Sequence, residues 1–152
     1  MITQDSIIIE KPLTEVYKVA SDIENSHRYL PGYKPSKVIK TENDQIIIER
    51  EAQIKGRVMK WKSLAKFNKN KSIEFEQIEG KLKGMKIVWL FKYVPRGTEL
   101  TIIHKFKIKI PIFGWLLSYF IAKPRIDNLT RRVLIGLKNY TESFKRQVEN
   151  NE

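Results

Sequence analysis

The sequence predicts an α+β domain in which a curved antiparallel sheet of about seven strands wraps around one long C-terminal helix, with two short helices after the first strand. Between residues 36 and 110, short alternating stretches are separated by breaks of a few residues, which is typical of antiparallel hairpins. Residues 126–148 then repeat apolar side chains every three or four positions, which is helical spacing. No repeat or linker interrupts the 152 residues, so we expect one domain over 1–152.

The N-terminal part predicts the first strand and both short helices. Residues 6–10 (SIIIE) form a β-branched run and predict a strand. Pro12 suits the first turn of a helix, in which apolar residues recur at helical spacing. Asp22 can cap a second short helix, which ends at the Pro–Gly pair within 29–33.

Six further strands are predicted before the C-terminal helix. Most of their breaks contain Gly, Asn, Asp or Pro, the residues that tight turns use. Alternation places lysines on one face and large apolar side chains on the other, which indicates a sheet with one buried face. The six strands are predicted at 36–41, 45–54, 57–67, 72–79, 82–94 and 99–110.

The inward face of this sheet carries more large aromatic side chains than one helical stripe covers. We therefore expect a hollow between the sheet and the helix, into which Leu129, Val133 and Leu137 project. The aromatic and polar side chains that we expect to line it are Arg50, Trp61, Trp89, Phe91, Tyr93, His104 and Phe106.

Two of these inward residues are polar, and each has a structural interpretation beside the functional one. His104 can orient a ligand or act as an acid or base, or it can be a half-buried histidine satisfied by a neighbour. Arg50 can pair with a ligand carboxylate, phosphate or enolate. It can equally pair with an internal acid such as Glu79, or extend to solvent at the rim.

Two long segments resemble a known superfamily. They are IIIEKPLTEVYKVASDIENSHRYLPGY, at 7–33, and IEGKLKGMKIVWLFKYVPRGTELTIIHKF, at 78–106, the second followed by PIFGWLL and the terminal helix. In their order and spacing they are similar to the START-like, or SRPBCC, helix-grip domains, nearest the polyketide cyclase and coenzyme Q-binding branch. The resemblance implies a sheet gripping the last helix around a cavity for a hydrophobic ligand. It implies no reaction, because the superfamily contains carriers, receptors, cyclases and chaperone regulators.

The chain is strongly cationic, with 29 Lys and Arg against 17 Asp and Glu and a net charge of +12. Such a field favours anionic partners. The strand lysines, however, occupy outward positions without outward aromatics that could stack on bases, so we do not expect nucleic acid binding. The N-terminus lacks a signal peptide pattern and no apolar run reaches the ~20 residues of a membrane span, so we expect a cytoplasmic protein.

No catalytic, metal or cofactor motif is present in the sequence. There is no cysteine, and the two histidines, His27 and His104, have no metal-ligand spacing. No G-x-S-x-G, G-x-G-x-x-G or Walker sequence occurs. We therefore assign no catalytic residue, metal or cofactor, although cyclases of the resembled kind need only a shaped pocket with a few polar groups.

Residues 111–124 (PIFGWLLSYFIAKP) form an aromatic-rich run between basic segments. The run can be core, a lid at the cavity mouth, or a membrane contact. Trp and Tyr favour membrane interfaces, and flanking cations favour anionic headgroups. We expect a partly exposed lid that docks on membranes and presents Trp115, Leu116 or Phe120 outward.

Together these features predict a protein that binds and sequesters or carries a lipid, an isoprenoid quinone or a polyketide-like molecule, with a possible peripheral contact to anionic membrane. One alternative is an aromatase/cyclase-type lyase that uses His104, Arg50 or a tyrosine as proton donor. The other is an interaction module that binds nucleic acid or an acidic protein through its lysines. The oligomeric state cannot be read from the sequence.

Overall fold

The computed structural model describes residues 2–54, 56–106 and 112–149, with side chains for all of these except 54, 112–123, 125 and 145–149. It contains seven strands, two α-helices and one short 3-10 helix within those ranges. In chain order they are β1 (Ile2–Ile9), α1 (Leu13–Ser21), the 3-10 helix (Ile23–Arg28), β2 (Lys37–Glu42), β3 (Gln45–Ile54), β4 (Arg57–Asn68), β5 (Ser72–Glu79), β6 (Lys86–Val94), β7 (Gly97–Lys105) and α2 (Ile112–Glu149).

The seven strands form one curved antiparallel sheet in the order β1-β7-β6-β5-β4-β3-β2. Strands β2 to β7 are a meander, in which each strand pairs with its neighbour in sequence. Only β1 pairs across a long sequence distance, with Ile7 opposite Leu100. The predicted α+β helix-grip fold is confirmed.

Helix α1 packs its apolar stripe against the sheet. Pro12 stands immediately before the helix, where a missing N–H costs no hydrogen bond, and Val16 and Ala20 are fully buried. The Tyr17 ring meets the Phe91 ring edge-on at 5.0 Å, and its hydroxyl donates to the Ser72 carbonyl at 3.1 Å. These contacts fix the helix over strands β5 and β6.

Helix α2 is held against β1 and against the segment after the 3-10 helix. Leu134 and Leu137 are fully buried, and the Lys138 ammonium donates to the Ile8 carbonyl at 2.7 Å. Gly136 faces the Tyr29 carbonyl so closely that a β-carbon there would overlap it. A glycine is therefore required where the helix and the chain after the 3-10 helix touch. We call the region around Leu134, Leu137 and Gly136 the packed end of the sheet–helix interface.

Three element boundaries differ most from the sequence prediction. Strand β1 begins at Ile2 rather than at residue 6. Strand β6 begins at Lys86 rather than 82, because Gly80 and Gly84 take positive φ angles of 114° and 91° and fold the intervening residues into a turn. Helix α2 begins at Ile112 rather than after Pro124, which lies inside it. A proline in a helix removes one backbone hydrogen bond and need not end the helix. Residues 107–110, predicted to complete the last strand, lie outside the described residues.

Candidate functional site

A cavity of about 230 Å³ lies between the sheet and helix α2. Its walls come from the inward face of β3 to β7, from the segment after the 3-10 helix, and from residues 129–133 of α2. Most of the lining is aromatic or aliphatic: Leu30, Tyr33, Met59, Trp61, Phe75, Met85, Ile87, Trp89, Ile102, Leu129 and Val133.

The structure brings six of the ten predicted lining residues together around this cavity. They are Arg50, Trp61, Trp89, His104, Leu129 and Val133. Their meeting follows from the strand register, in which Arg50 is opposite Trp61, and Trp89 is opposite Ile102. Whether they contact a ligand stays a prediction.

The other four predicted lining residues lie elsewhere. Phe91 is buried beside Tyr17, Leu137 is fully buried at the packed end, and Phe106 is half-buried with its ring stacked on His104 at 6.3 Å. Tyr93 is 73% exposed, so the prediction that it points into the hollow is wrong. Tyr93 shares its side of β6 with Trp89 and Phe91, as the alternation predicts. However, it lies at the end of the β6–β7 hairpin, where no described residue covers the sheet.

The predicted lid residues Trp115, Leu116 and Phe120 belong to the part of α2 whose side chains lie outside the described residues. Their backbone is helical. Their exposure, and hence the choice among core, lid and membrane contact, stays a prediction.

Arg50 is buried in the cavity wall, with only 7% of its surface exposed. Its guanidinium carbon lies 5.3 Å from the centre of the Phe75 ring and 5.8 Å from that of Tyr33. Among the described residues, no carboxylate lies within 4.0 Å of the guanidinium nitrogens of Arg50, and these nitrogens donate no hydrogen bond to any of those residues. Burial lowers the pKa of Arg50. The sequence-based alternatives of a Glu79 partner and of an exposed rim position are both wrong, since Glu79 pairs with Lys62 at 3.2 Å.

His104 lies half-buried on β7, and burial lowers its pKa to about 4, against a smaller opposing effect of Asp127. The imidazole is therefore neutral at pH 7. The Thr130 hydroxyl donates to the Ile126 carbonyl at 2.8 Å, so its 3.4 Å contact with His104 Nδ1 requires the ring nitrogen as donor. A proton on Nδ1 leaves Nε2 as a hydrogen-bond acceptor or a base.

Sequence reasoning missed Thr130 and three further polar lining groups that are not exposed. Ser63 and Gln77 are buried on β4 and β5, and Tyr33 lies in the segment after the 3-10 helix. Alternation held a usable signal for two of them, because Ser63 shares its face with Trp61, and Gln77 shares its face with Phe75. The Gln77 amide donates to the Glu79 carbonyl at 3.2 Å. For Tyr33, which lies outside any predicted strand, the sequence held no such signal.

The cavity opens beside the β3–β4 and β5–β6 turns, where its lining residues become exposed. Val58 is 57% exposed and Leu82 is 42% exposed, and Lys60 and Lys81 are exposed next to them. These four residues are therefore the exposed part of the cavity lining. We call these four residues the rim.

The described residues hold no group of three or more His, Cys, Asp or Glu side chains placed to hold a metal ion. None of their helices is both long enough and apolar enough to cross a membrane.

The family model "Polyketide cyclase / dehydrase and lipid transport" matches residues 9–133, which is most of the chain. The chain belongs to this family. The match runs from the end of β1 to the α2 residues that line the cavity, so the polyketide cyclase/dehydrase and lipid transport family domain contains the whole described cavity wall. No curated protein matches the sequence as a relative.

Solved structures of this architecture include three that align over almost the whole chain. TTHA0849 from Thermus thermophilus is 22% identical with a TM-score of 0.80, and the alignment covers 94% of this chain and 98% of that one. The Zhui aromatase/cyclase from a Streptomyces species is 12% identical, with a TM-score of 0.81 and 93% of each chain covered. A START superfamily protein from Mycobacterium smegmatis is 14% identical, with a TM-score of 0.69 and 91% and 98% covered. At these identities the likeness shows the fold.

Proposed function

We propose that the protein binds a hydrophobic small molecule, such as a lipid, an isoprenoid quinone or a polyketide-like ring system, and sequesters or carries it in the cavity. The observation that carries this proposal is the apolar cavity with an open rim. A ligand that leaves water for such walls gains roughly 25 cal/mol for each Å² of apolar surface buried. A few polar groups in the wall then set its orientation.

A direct binding titration with a neutral fluorescent probe, N-phenylnaphthylamine, tests the proposal. The parent protein should bind the probe, and Trp61→Ala should weaken binding at least about 10-fold, because the indole is half-buried in the cavity wall. Tyr93→Ala is the matched control, since it removes an aromatic ring that lies away from the cavity. Ligand binding in this cavity is refuted if the parent protein does not bind the probe, or if both variants lose the same amount of affinity for it.

We further propose that the protein acts peripherally at an anionic membrane, docking through segment 111–124 and through the rim. The rim supports this because Val58 and Leu82 are exposed beside Lys60 and Lys81. Each cation near an anionic surface contributes about 1 kcal/mol, and each buried aliphatic side chain about 1.5–3 kcal/mol. Such binding is reversible and sensitive to salt.

Co-sedimentation with vesicles of phosphatidylcholine, with and without phosphatidylserine, measures this docking. Binding should require the anionic lipid and should fall in both the Trp115→Ser/Phe120→Ser and the Val58→Ser/Leu82→Ser variants. Ile39→Ser is the control, because Ile39 is also exposed, at 46%, but on edge strand β2. If neither double variant differs from the control, membrane docking is wrong and the cavity proposal is unaffected.

A second candidate function is an aromatase/cyclase-type lyase. It is favoured by a neutral His104, with Nε2 available as a base, and by the Arg50 cation, both of which line the same cavity. A base can remove the proton between two carbonyls, and a cation can stabilise the enolate that forms. The enolate carbon can then attack another carbonyl of the same molecule, and the hydroxyl group that results can leave as water. Incubation with a poly-β-ketone thioester should then yield a cyclised product lighter by one water, and His104→Gln should abolish it. If the parent protein yields no product lighter by one water, the lyase proposal is wrong and only ligand carriage remains.

The lysines offer weaker support for an interaction module. On the outer sheet face, Lys62 pairs with Glu79 at 3.2 Å and Lys86 lies 3.9 Å from Glu76. These pairings reduce the positive potential that nucleic acid or an acidic protein would need. We therefore favour the small-molecule function.

A further inference from the structure

We propose that the ligand carries one singly charged acid group, and that Arg50 binds this group in the cavity wall. The inference rests on the proposed function and deepens it, because it names the chemical class of the ligand. The ligand would then be an anionic amphiphile, with an apolar body against the indole and phenyl walls and a carboxylate-type head at the guanidinium.

The first step is the missing counter-charge of Arg50. Buried charges in proteins are paired, because a lone ion in a low-dielectric site costs several kcal/mol. Here the arginine is only 7% exposed and has aromatic neighbours instead of a carboxylate among the described residues. The rings of Tyr33 and Phe75 compensate the charge only in part.

The second step is that the nearby acids are engaged elsewhere. Glu51, the next residue on β3, points to the opposite face and accepts from Lys34 at 2.7 Å. Glu79 pairs with Lys62. Burial raises the pKa of both Tyr29 and Tyr33, so their phenols stay neutral beside the arginine and supply no negative charge.

The third step is the position of Arg50 relative to the other cations. Of the described lining residues, the remaining cations are Lys60 and Lys81, and both are exposed at the rim. On β7, at the other side of the cavity, His104 is neutral. Among the described lining residues, the Arg50 guanidinium is therefore the one buried cation that an acid head group can bind.

The fourth step concerns the kind of acid. A guanidinium presents parallel N–H donors that match a planar carboxylate in a two-point contact. A phosphate monoester carries about −1.5 to −2 charges at neutral pH, and one buried cation leaves part of that charge uncompensated. A singly charged carboxylate therefore fits the site better than a doubly charged phosphate.

Competition among three ligands with the same alkyl chain tests the inference. Decanoic acid, decanol and decyl phosphate each displace N-phenylnaphthylamine, a neutral probe, from the intact protein. Decanoic acid should bind about 10- to 100-fold more tightly than decanol, the range for a charged hydrogen-bonded contact. In Arg50→Met the ratio should fall to about 1, whereas Lys60→Met, which removes a rim cation, should leave it within about 3-fold of the parent value.

Thermal unfolding of the unliganded variants gives a second readout. Arg50→Met removes an unpaired buried charge, so its melting temperature should equal or exceed that of the parent. A lower value, or a failure to fold, would assign Arg50 a structural role, and this outcome contradicts the inference.

The possible failures are distinguishable. If the probe itself does not bind, the proposed binding of hydrophobic molecules is wrong. If the probe binds but none of the three compounds displaces it, the acid-selective site is wrong and the cavity proposal is unaffected. If acid and alcohol displace it equally, the cavity binds ligands but Arg50 does not select an acid. If decyl phosphate binds more tightly than the acid, the preference for a single charge is wrong.

Discussion

The two ends of the sheet–helix interface use the same sequence pattern and reach opposite results. At the packed end, Leu134 and Leu137 on α2 are fully buried, and Gly136 brings the helix against the Tyr29 carbonyl. On the same helix, Leu129 and Val133 face a cavity of about 230 Å³. Both ends have apolar side chains at helical spacing above an apolar sheet face.

The difference lies in what stands opposite the helix. At the packed end, α1 and β1 fill the space, with Val16 and Ile9 fully buried. At the cavity end, bulky rings such as Trp61 line the space without closing it, and polar groups such as Arg50 enter the wall. Periodicity identifies the inward face, while the elements opposite that face decide whether it encloses core or a hollow. Three predictions test this contrast, beginning with the largest expected effect.

The first prediction compares the same truncation at the two ends of helix α2. Leu134→Ala should lower the free energy of unfolding by about 2–5 kcal/mol, because it opens a void in fully packed core. Leu129→Ala should cost only about 1 kcal/mol, because its side chain already borders a hollow. Urea denaturation of both variants measures the difference, and helix propensity cancels because the substitution is identical. Equal losses would mean that the cavity end is packed as tightly as the other end.

The second prediction concerns the pH dependence that the cavity end gives to stability. The pKa of His104 is about 4 in the folded protein and about 6.5 in an unfolded chain, so only the unfolded chain takes up the proton as pH falls below 6.5. The stability that the neutral histidine preserves is therefore present above pH 6.5 and is lost between pH 6.5 and 4. Between pH 7.5 and 5, the unfolding free energy of the parent should drop by about 2 kcal/mol more than that of His104→Gln.

Denaturation series at the two pH values measure that difference directly. Since every other titrating group is common to both proteins, it isolates His104. Parallel pH profiles in the parent and the variant would show that the histidine is solvated like an exposed residue, and the wall around it would then be open to bulk water.

The third prediction concerns the outer face of the sheet and has the smallest effect. Glu79→Gln should change the unfolding free energy by about 0.2–1 kcal/mol, because the carboxylate pairs with Lys62 at the surface, where its side chain is 61% exposed. Urea denaturation at neutral pH is sufficient to measure it. A loss of several kcal/mol would instead make Glu79 the counter-charge of Arg50, and it would also overturn the acid-selective site.

The fold could be predicted well from the sequence because most strands pair with their neighbours in the chain. Alternation in 57–67 and 99–105 and the turn residues between strands fixed the meander, and every predicted strand is present. The site was predicted less completely. Tyr93 shows why: alternation gives the side of the sheet but not what covers it, and the end of the β6–β7 hairpin is uncovered.

The polar wall of the cavity shows a second limit of sequence reasoning. The inward position of Arg50 follows from the period of two on β3, but its lack of a described counter-charge depends on where Glu79 and Glu51 point in three dimensions. The start of α2 likewise escaped the pattern, because Pro124 normally marks a helix boundary and here lies inside the helix. Neither feature follows from the local sequence pattern.

The long-range pairing of β1 has a consequence for the order of folding. Strands β2 to β7 need only short hairpin closures, whereas the 2.8 Å contact between the hydroxyls of Ser6 and Thr101 joins positions 95 residues apart. Closing a long loop carries a larger entropic cost, so the meander is expected to form before β1 joins its edge. Helix α2 rests partly on β1, through Lys138 and the Ile8 carbonyl. The hollow under α2 is therefore expected to be among the last features to form, on a chain whose hairpins are already in place.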